Sequence, residues 1–241
     1  MIKINNISKS FNSKKILNNV SFNINEGESV AIIGQSGVGK SVILKHINGL
    51  LKPDKGSIEI DNSIISNLSF NDLQKVRKKM AMVFQFGALF DSMSIYDNIK
   101  IAVDNLTNID KESKNKRILD CLNLVNLSDT IDMFPSDISG GMKKRIGIAR
   151  AISIKPKYLL YDEPTTGLDP ITTDKIIKLM RNVQIKDNVT SIIVTHEMKI
   201  VNEMVDKVIM LYNGKIIFDG TPKELNSSND KYIKYFTLGH N

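Results

Sequence analysis

The sequence predicts an α/β fold, a parallel sheet flanked by helices around a phosphate-binding loop and interrupted by a helical insertion. Three observations carry this. Ser29-Val30-Ala31-Ile32-Ile33 reads as a buried strand that runs into Gly34-Gln35-Ser36-Gly37-Val38-Gly39-Lys40-Ser41, a match to G-x-x-x-x-G-K-[ST]. Val42-Ile43-Leu44-Lys45-His46-Ile47 follows as the first turns of a helix. Further on, residues 158–161, 190–195 and 207–212 are short apolar runs alternating with helical patterns, as a parallel sheet requires.

The elements follow in order. Residues 3–7 and Val20-Ser21-Phe22-Asn23-Ile24 open the chain as strands, the second with one apolar face. The helix after the loop ends at Asn48-Gly49, and Pro53-Asp54-Lys55-Gly56 makes a turn. Residues 57–60 and 80–84 read as strands. From about Asp91 to about Ala151 the pattern turns helical, and Ile118, Leu119, Leu122 and Val125 mark an apolar face over residues 111–125. No repeat or low-complexity linker divides the 241 residues, so one domain is expected, with a core of about 1–90 and 155–241 and a helical lobe of about 91–154.

Composition narrows the function. At 41% hydrophobic residues the chain can build a large core, yet no apolar run nears the roughly 20 residues of a membrane-spanning helix. Met1-Ile2-Lys3-Ile4-Asn5 lacks a signal-peptide layout. The one cysteine, Cys121, excludes an internal disulfide, fits a reducing compartment and reads as an ordinary helix residue. The net charge of +7 is spread along the chain. Its densest clusters, residues 75–79 and Lys143-Lys144-Arg145, fall on expected helices without interleaved aromatics, so no nucleic-acid partner is expected.

The loop at 34–41 carries the first piece of chemistry. A strand feeding a glycine turn that opens a helix aims a row of backbone N–H groups at one point, and the helix dipole adds to the attraction for an anion. Gly37 and Gly39 let the backbone curl around phosphate, Lys40 reaches the terminal phosphates, and Ser41 offers a hydroxyl to Mg²⁺. A bound nucleoside triphosphate is the expectation.

Two further constellations complement it. Tyr158-Leu159-Leu160-Tyr161-Asp162-Glu163 is a buried strand ending in two carboxylates, which read either as a strand-end cap or as metal and water handling. Beside a phosphate loop the second reading is favoured, with Asp162 holding the metal and Glu163 acting as general base. Asp137-Ile138-Ser139-Gly140-Gly141-Met142 places a hydroxyl and free amides at another helix start, a second anion site. One nucleotide leaves that site idle. Two chains packed head-to-tail would use both.

On these residues the chain resembles the ATP-binding cassette (ABC) family, whose signature motif is the Ser139-Gly140-Gly141 stretch. The resemblance runs from about Ile2 to about Phe218. It implies a nucleotide-binding domain with a parallel-sheet core, an antiparallel β subdomain and the helical insertion. It implies ATP and Mg²⁺ as cofactors, held by residues 34–42, with Val42 giving its backbone N–H to the α-phosphate, and by Ser139, Gly140 and Gly141 of the second copy. Phe11 would stack on adenine, a role that competes with an ordinary core aromatic. Gln85 would join Mg²⁺ to the helical lobe, and His196 would stand near the γ-phosphate. Asp169, in Gly167-Leu168-Asp169, would touch the partner subunit and also form a turn before Pro170.

Departures from the family pattern narrow the resemblance. Ile138 and Met142 stand where Leu and Gln are usual in the signature, and Val42 where a hydroxyl residue is common. With Phe84-Gln85-Phe86-Gly87-Ala88-Leu89-Phe90-Asp91-Ser92-Met93 and Ser139-Gly140-Gly141-Met142-Lys143-Lys144-Arg145, these are similar to the ATPases of Mla/Mce-type lipid transporters. That implies a peripheral ATPase on the cytoplasmic face of the inner membrane. Its partners would be a second copy, a transmembrane permease met through Leu89 and Phe90, and a periplasmic lipid-binding Mce-type protein. An ATPase of an amino-acid or metal importer, or of the cell-division type, is the alternative. The aromatic and basic segment 230–238 could pack on its own domain, on the partner ATPase or on a membrane, and the sequence does not choose.

Overall fold

The computed structural model describes residues 1–238 and contains two compact units, one made of Met1–Arg77 and the chain from Thr190 onward, the other of Lys78–Val189. The first unit opens with antiparallel strands. β1 (Ile2–Phe11) pairs with β2 (Lys14–Ile24) across a turn at Asn12 and, on its other side, with β4 (Lys55–Ile60), which continues into the short β5 (Ser63–Ile64). Ile2, Ile4, Leu17, Val20, Phe22, Ile24, Ile58 and Ile60 are buried, the alternate residues of a sheet with one covered face. β1 and β2 extend well beyond the stretches expected from apolar alternation. Their outer ends are mostly polar and irregular in register, held by backbone pairing, by side-chain bonds such as the Asn19 N–H to Ser8 Oγ at 3.0 Å, and by the buried Leu17.

The second sheet of this unit is parallel at its centre. β3 (Ser29–Ile33) runs between β8 (Thr190–Val194) and β9 (Lys207–Tyr212), parallel to both, and β10 (Lys215–Gly220) lies antiparallel along β9. Every residue of β3 and β8 is buried, as strands covered on both faces must be. β10 has no fully buried residue, which is why the sequence pattern did not announce it. α1 (Lys40–Ile47) packs against β8, with α2 (Phe70–Arg77), α7 (Met198–Met204), α8 (Pro222–Ser227) and α9 (Lys231–Leu238) completing the unit. In α9 Ile233 is buried and the Tyr232 ring lies 4.1 Å from that of Tyr212, so this part of the tail packs on its own unit.

The second unit sets parallel strands β6 (Met80–Val83) and β7 (Tyr158–Asp162) with four helices, α3 (Ile95–Leu106), α4 (Lys111–Leu124), α5 (Gly140–Ile152) and α6 (Pro170–Asp187). Ser94, Asp110, Ser139 and Asp169 cap the four helices, each side chain accepting a backbone N–H from the first turn. On α4 Ile118 and Leu122 are buried, and Val125 just beyond it, while Leu119, expected on the same face, is exposed. Cys121 is buried on α4, and burial pushes its thiol up to about 12, so it behaves as a small protonated hydrophobe. Among the described residues no helix is long and apolar enough to cross a membrane. The α/β class, with parallel and antiparallel sheets, is as the sequence predicts.

Candidate functional site

In the first unit the phosphate loop is shaped largely by its own neighbours. A Cβ on Gly34, at φ 145°, would come 2.5 Å from the Leu211 carbonyl oxygen of β9. One on Gly39, at φ 112°, would meet Leu17 Cδ2 of β2 at 2.9 Å. Gly37, at φ 79°, has nothing within 4 Å, so of the three it is the one with room for an outside group. Gln35 and Ser36 are exposed, and the Val38 N–H closes the turn on the Gln35 carbonyl at 3.3 Å. Gly39 is the N-cap of α1 and has no side chain to cap it, which leaves the first turn of α1, with Ser41 and Val42, suited to an anion.

Lys40 is buried, and its ammonium donates to the carbonyls of Gly34 at 2.9 Å and Gln35 at 3.2 Å. The charge therefore sits on the loop and needs only side-chain rotation to follow a phosphate. His196 lies exposed just past β8, where Thr195 Oγ1 accepts the Glu197 N–H at 3.0 Å. Phe11 ends β1 with its ring 43% exposed, 5.7 Å from the Lys9 ammonium. A ring that open is a surface aromatic, not a core one.

The second unit holds the remaining residues. Asp162 ends β7, whose other four residues are buried, and Glu163 follows at φ 50°, a left-handed conformation that costs a non-glycine residue on the order of 1 kcal/mol or more. Its Oε2 accepts the Thr166 hydroxyl at 3.2 Å, and the Thr166 carbonyl accepts the Lys144 ammonium at 2.5 Å. Asp169 caps α6, accepting the Thr172 N–H at 2.9 Å, and its hydrogen bonds from Thr172 hold the carboxyl below the usual range. Ser139 caps α5 through the Met142 N–H at 3.3 Å. A Cβ on Gly140 would meet nothing within 4 Å, whereas one on Gly141 would meet Thr172 Cγ2 at 2.9 Å.

Gln85, half-buried, begins a loop held by two residues that sequence reasoning did not single out as functional. Arg150 of α5 donates to the carbonyls of Ala88 at 2.8 Å and Gly87 at 3.0 Å, and burial pushes its guanidinium pKa down. Asn98 of α3, fully buried, accepts the Phe90 N–H at 2.7 Å and donates to the carbonyls of Phe90, Met93 and Ser94. The clamp leaves Phe86 76% and Phe90 50% exposed, with Leu89 half-buried. Backbone carbonyls carry no residue signature, so only the fold could disclose these partners.

The Ser41 hydroxyl in the first unit and, in the second, the Gln85 amide and Asp162 carboxylate are each hard oxygen donors of the kind that Mg²⁺ takes together with waters and substrate phosphates. Among the described residues no group of three His, Cys, Asp or Glu is placed to hold a metal ion by itself.

A lysine-bearing glycine loop at a helix start, with a buried strand ending in Asp-Glu, defines a phosphate-loop nucleoside triphosphatase. The sequence profile of the ABC transporter family matches residues 17–166. The methionine import ATP-binding protein MetN of Carboxydothermus hydrogenoformans is 40% identical over 223 residues, 91% of this chain and 66% of that protein. MetN of Legionella pneumophila (strain Lens) is 42% identical over 217 residues, 90% of this chain and 63% of that protein. The chain thus spans about two thirds of the length of these relatives. Among solved structures, the ATP-binding cassette MJ0796, in a dimeric post-hydrolysis state with ADP and phosphate, matches with a TM-score of 0.85 and 32% identity over 92% of this chain and 99% of that one. The chain belongs to the ABC transporter family, as an ATPase cassette whose nucleotide is ATP with Mg²⁺. The two named relatives are methionine importers, where the local resemblance of residues 84–93 and 139–145 pointed to lipid transport.

Proposed function

We propose that this cassette pairs head-to-tail with a second copy and drives a separate permease from the cytoplasmic face of a membrane. The observation that carries the pairing is Gly140. It opens α5 beside Ser139 with clear space where a side chain would be, although no positive φ and no contact of an added Cβ with the described residues beyond its own helix turn demands a glycine there. The nucleotide of the other copy would fill that space.

In this reading the loop amides at 34–42 and Lys40 hold the phosphates, Phe11 stacks on the base, and Ser139, Gly140 and Gly141 of the second copy close over the γ-phosphate. Ser41, Asp162 and Gln85 would hold Mg²⁺, which supplies neutralisation of the phosphate charge. Glu163 accepts the proton of the attacking water as its oxygen bonds to the γ-phosphorus and the bond to ADP breaks, while His196 steadies the γ-phosphate. The work is positioning and charge stabilisation. Glu163→Gln should bind ATP, form the pair and hydrolyse roughly 10²–10⁴-fold more slowly. A turnover number near that of the unmodified chain would remove Glu163 from the role of base.

For the cargo, amino-acid import is supported by relatives aligned over some nine-tenths of the chain, both named for methionine. Lipid transport is supported by a shorter stretch, the exposed Phe86 and Phe90 and the Met142 substitution, and only that reading calls for an Mce-type periplasmic partner. The first rests on more of the chain and is adopted. Purification of the native complex with its permease separates them. Methionine-dependent ATPase supports import, and a co-purifying phospholipid with no response to amino acids replaces it with lipid transport.

A further inference from the structure

Lys144 is the buried charge that the proposed mechanism leaves unused. It is 5% exposed, lies on α5 beyond Ser139, Gly140 and Gly141, and donates to the Thr166 carbonyl at 2.5 Å. Burying an ammonium is costly, so its position on α5 next to the Thr166 carbonyl is held at a cost in solvation. Thr166 in turn donates its hydroxyl to Glu163 Oε2 at 3.2 Å. Glu163 itself sits at φ 50°, a conformation that persists only where its surroundings impose it.

We infer that Lys144 is the positioning residue for Glu163, and that the chain Lys144–Thr166–Glu163 ties the signature end of α5 to the general base. The inference rests on the proposed pairing. In a head-to-tail pair, Ser139 and Gly140 of one chain serve the nucleotide bound by the other copy, whereas Glu163 serves the nucleotide bound by its own chain. A displacement of α5 as it engages one ATP is therefore carried by Lys144 to the carboxylate that acts on the second. Each site learns through this link that the other is filled. Lys144 touches neither substrate nor reacting atoms.

The test uses the purified full chain and its ATPase rate. Lys144→Met keeps the stem and removes the donor, Lys144→Arg keeps a donor, and Thr166→Val removes only the hydroxyl. Expected results are a fall in kcat of about tenfold or more for Lys144→Met and Thr166→Val, with the ATP Kd, measured without hydrolysis in EDTA, unchanged within about twofold. Lys144→Arg should recover most of the rate. An unchanged kcat, or failure of Lys144→Arg to recover activity, overturns the inference. If Lys144→Met does not fold, Thr166→Val decides on the same measurements. Glu163→Gln, run alongside, separates the two levels. If it hydrolyses normally the general-base reading falls, and if it is inactive while Lys144→Met is normal only the positioning role falls.

Discussion

The two glycine loops look alike in sequence and are built for different reasons. At the phosphate loop, Gly34 and Gly39 stand where a Cβ would strike Leu211 and Leu17 of the same chain, and both have positive φ. Those glycines are needed to fold. At the start of α5, Gly140 has no positive φ, and a Cβ added there would meet none of the described residues beyond its own helix turn within 4 Å. The caps differ in the same sense. α1 opens on a glycine with no side-chain cap, leaving its amides for a ligand, whereas α5 is already capped by Ser139. One loop is fixed by its own packing, and the other, in the proposed pairing, is completed by a second molecule.

The contrast breaks most visibly at Gly34. Gly34→Ala adds a Cβ 2.5 Å from a carbonyl oxygen at φ 145°, so the strand or the loop must move. A loss of roughly 2–5 kcal/mol of folding stability is expected in urea denaturation. A variant as stable as the parent would show that the loop yields, and that packing does not dictate its glycines.

Asn98 is next in size. Its amide is fully buried and holds the backbone at Phe90, Met93 and Ser94. Asn98→Ala strands an N–H and several carbonyls, at a cost of about 2–3 kcal/mol. The Gln85 loop should loosen as well, so hydrogen exchange at residues 86–94 should quicken more than elsewhere in α3. Uniform exchange would deny the clamp.

How far the sequence spoke follows from what kind of partner each residue has. The phosphate loop, β3, β7 and β8 were legible because glycine spacing and continuous apolar runs are written in residue types. β10 was not, because its Ile216, Ile217 and Phe218 are only partly covered and follow no clean buried pattern, and neither were the mostly polar outer ends of β1 and β2, whose register is irregular. Asn98, Arg150 and Lys144 all bind main-chain carbonyls from other segments, and any residue could supply those. Ser139-Gly140 was legible as an anion site, whereas the open space around an added Cβ at Gly140 could be read only from the structure, and it is that space which supports the proposed pairing.

A smaller effect distinguishes the α1 side by pH. His46 on α1 is fully buried, its Nδ1 2.9 Å from the Leu51 carbonyl, and burial lowers its pKa below the ordinary 6.5. The unfolded chain therefore takes up a proton near 6.5 that the folded chain resists. Stability is complete above pH 6.5 and declines as the pH falls below it toward the folded value. The carboxylates with lowered values, Asp54 and Asp169 among them, lose stability only at more acidic pH. Melting temperatures at pH 7.5 and pH 5.5 should thus differ in the parent and converge in His46→Gln. Equal differences in both chains would place the acid sensitivity elsewhere.

The smallest folding effect carries the most weight. Gly140→Ala puts a methyl group into open space at a helix start, where alanine is tolerated, so stability should shift by no more than about 1 kcal/mol in either direction. ATP binding to the phosphate loop should be unchanged, because that loop lies in the other unit. What should disappear is the ATP-dependent pair, read by light scattering on the Glu163→Gln background where hydrolysis does not dissolve it. A stable Gly140→Ala chain that binds ATP and still pairs would mean that the space beside Ser139 is only a gap in the surface. A stable chain that binds ATP and stays single would assign that glycine to the other copy's nucleotide, a demand that no contact within its own fold makes.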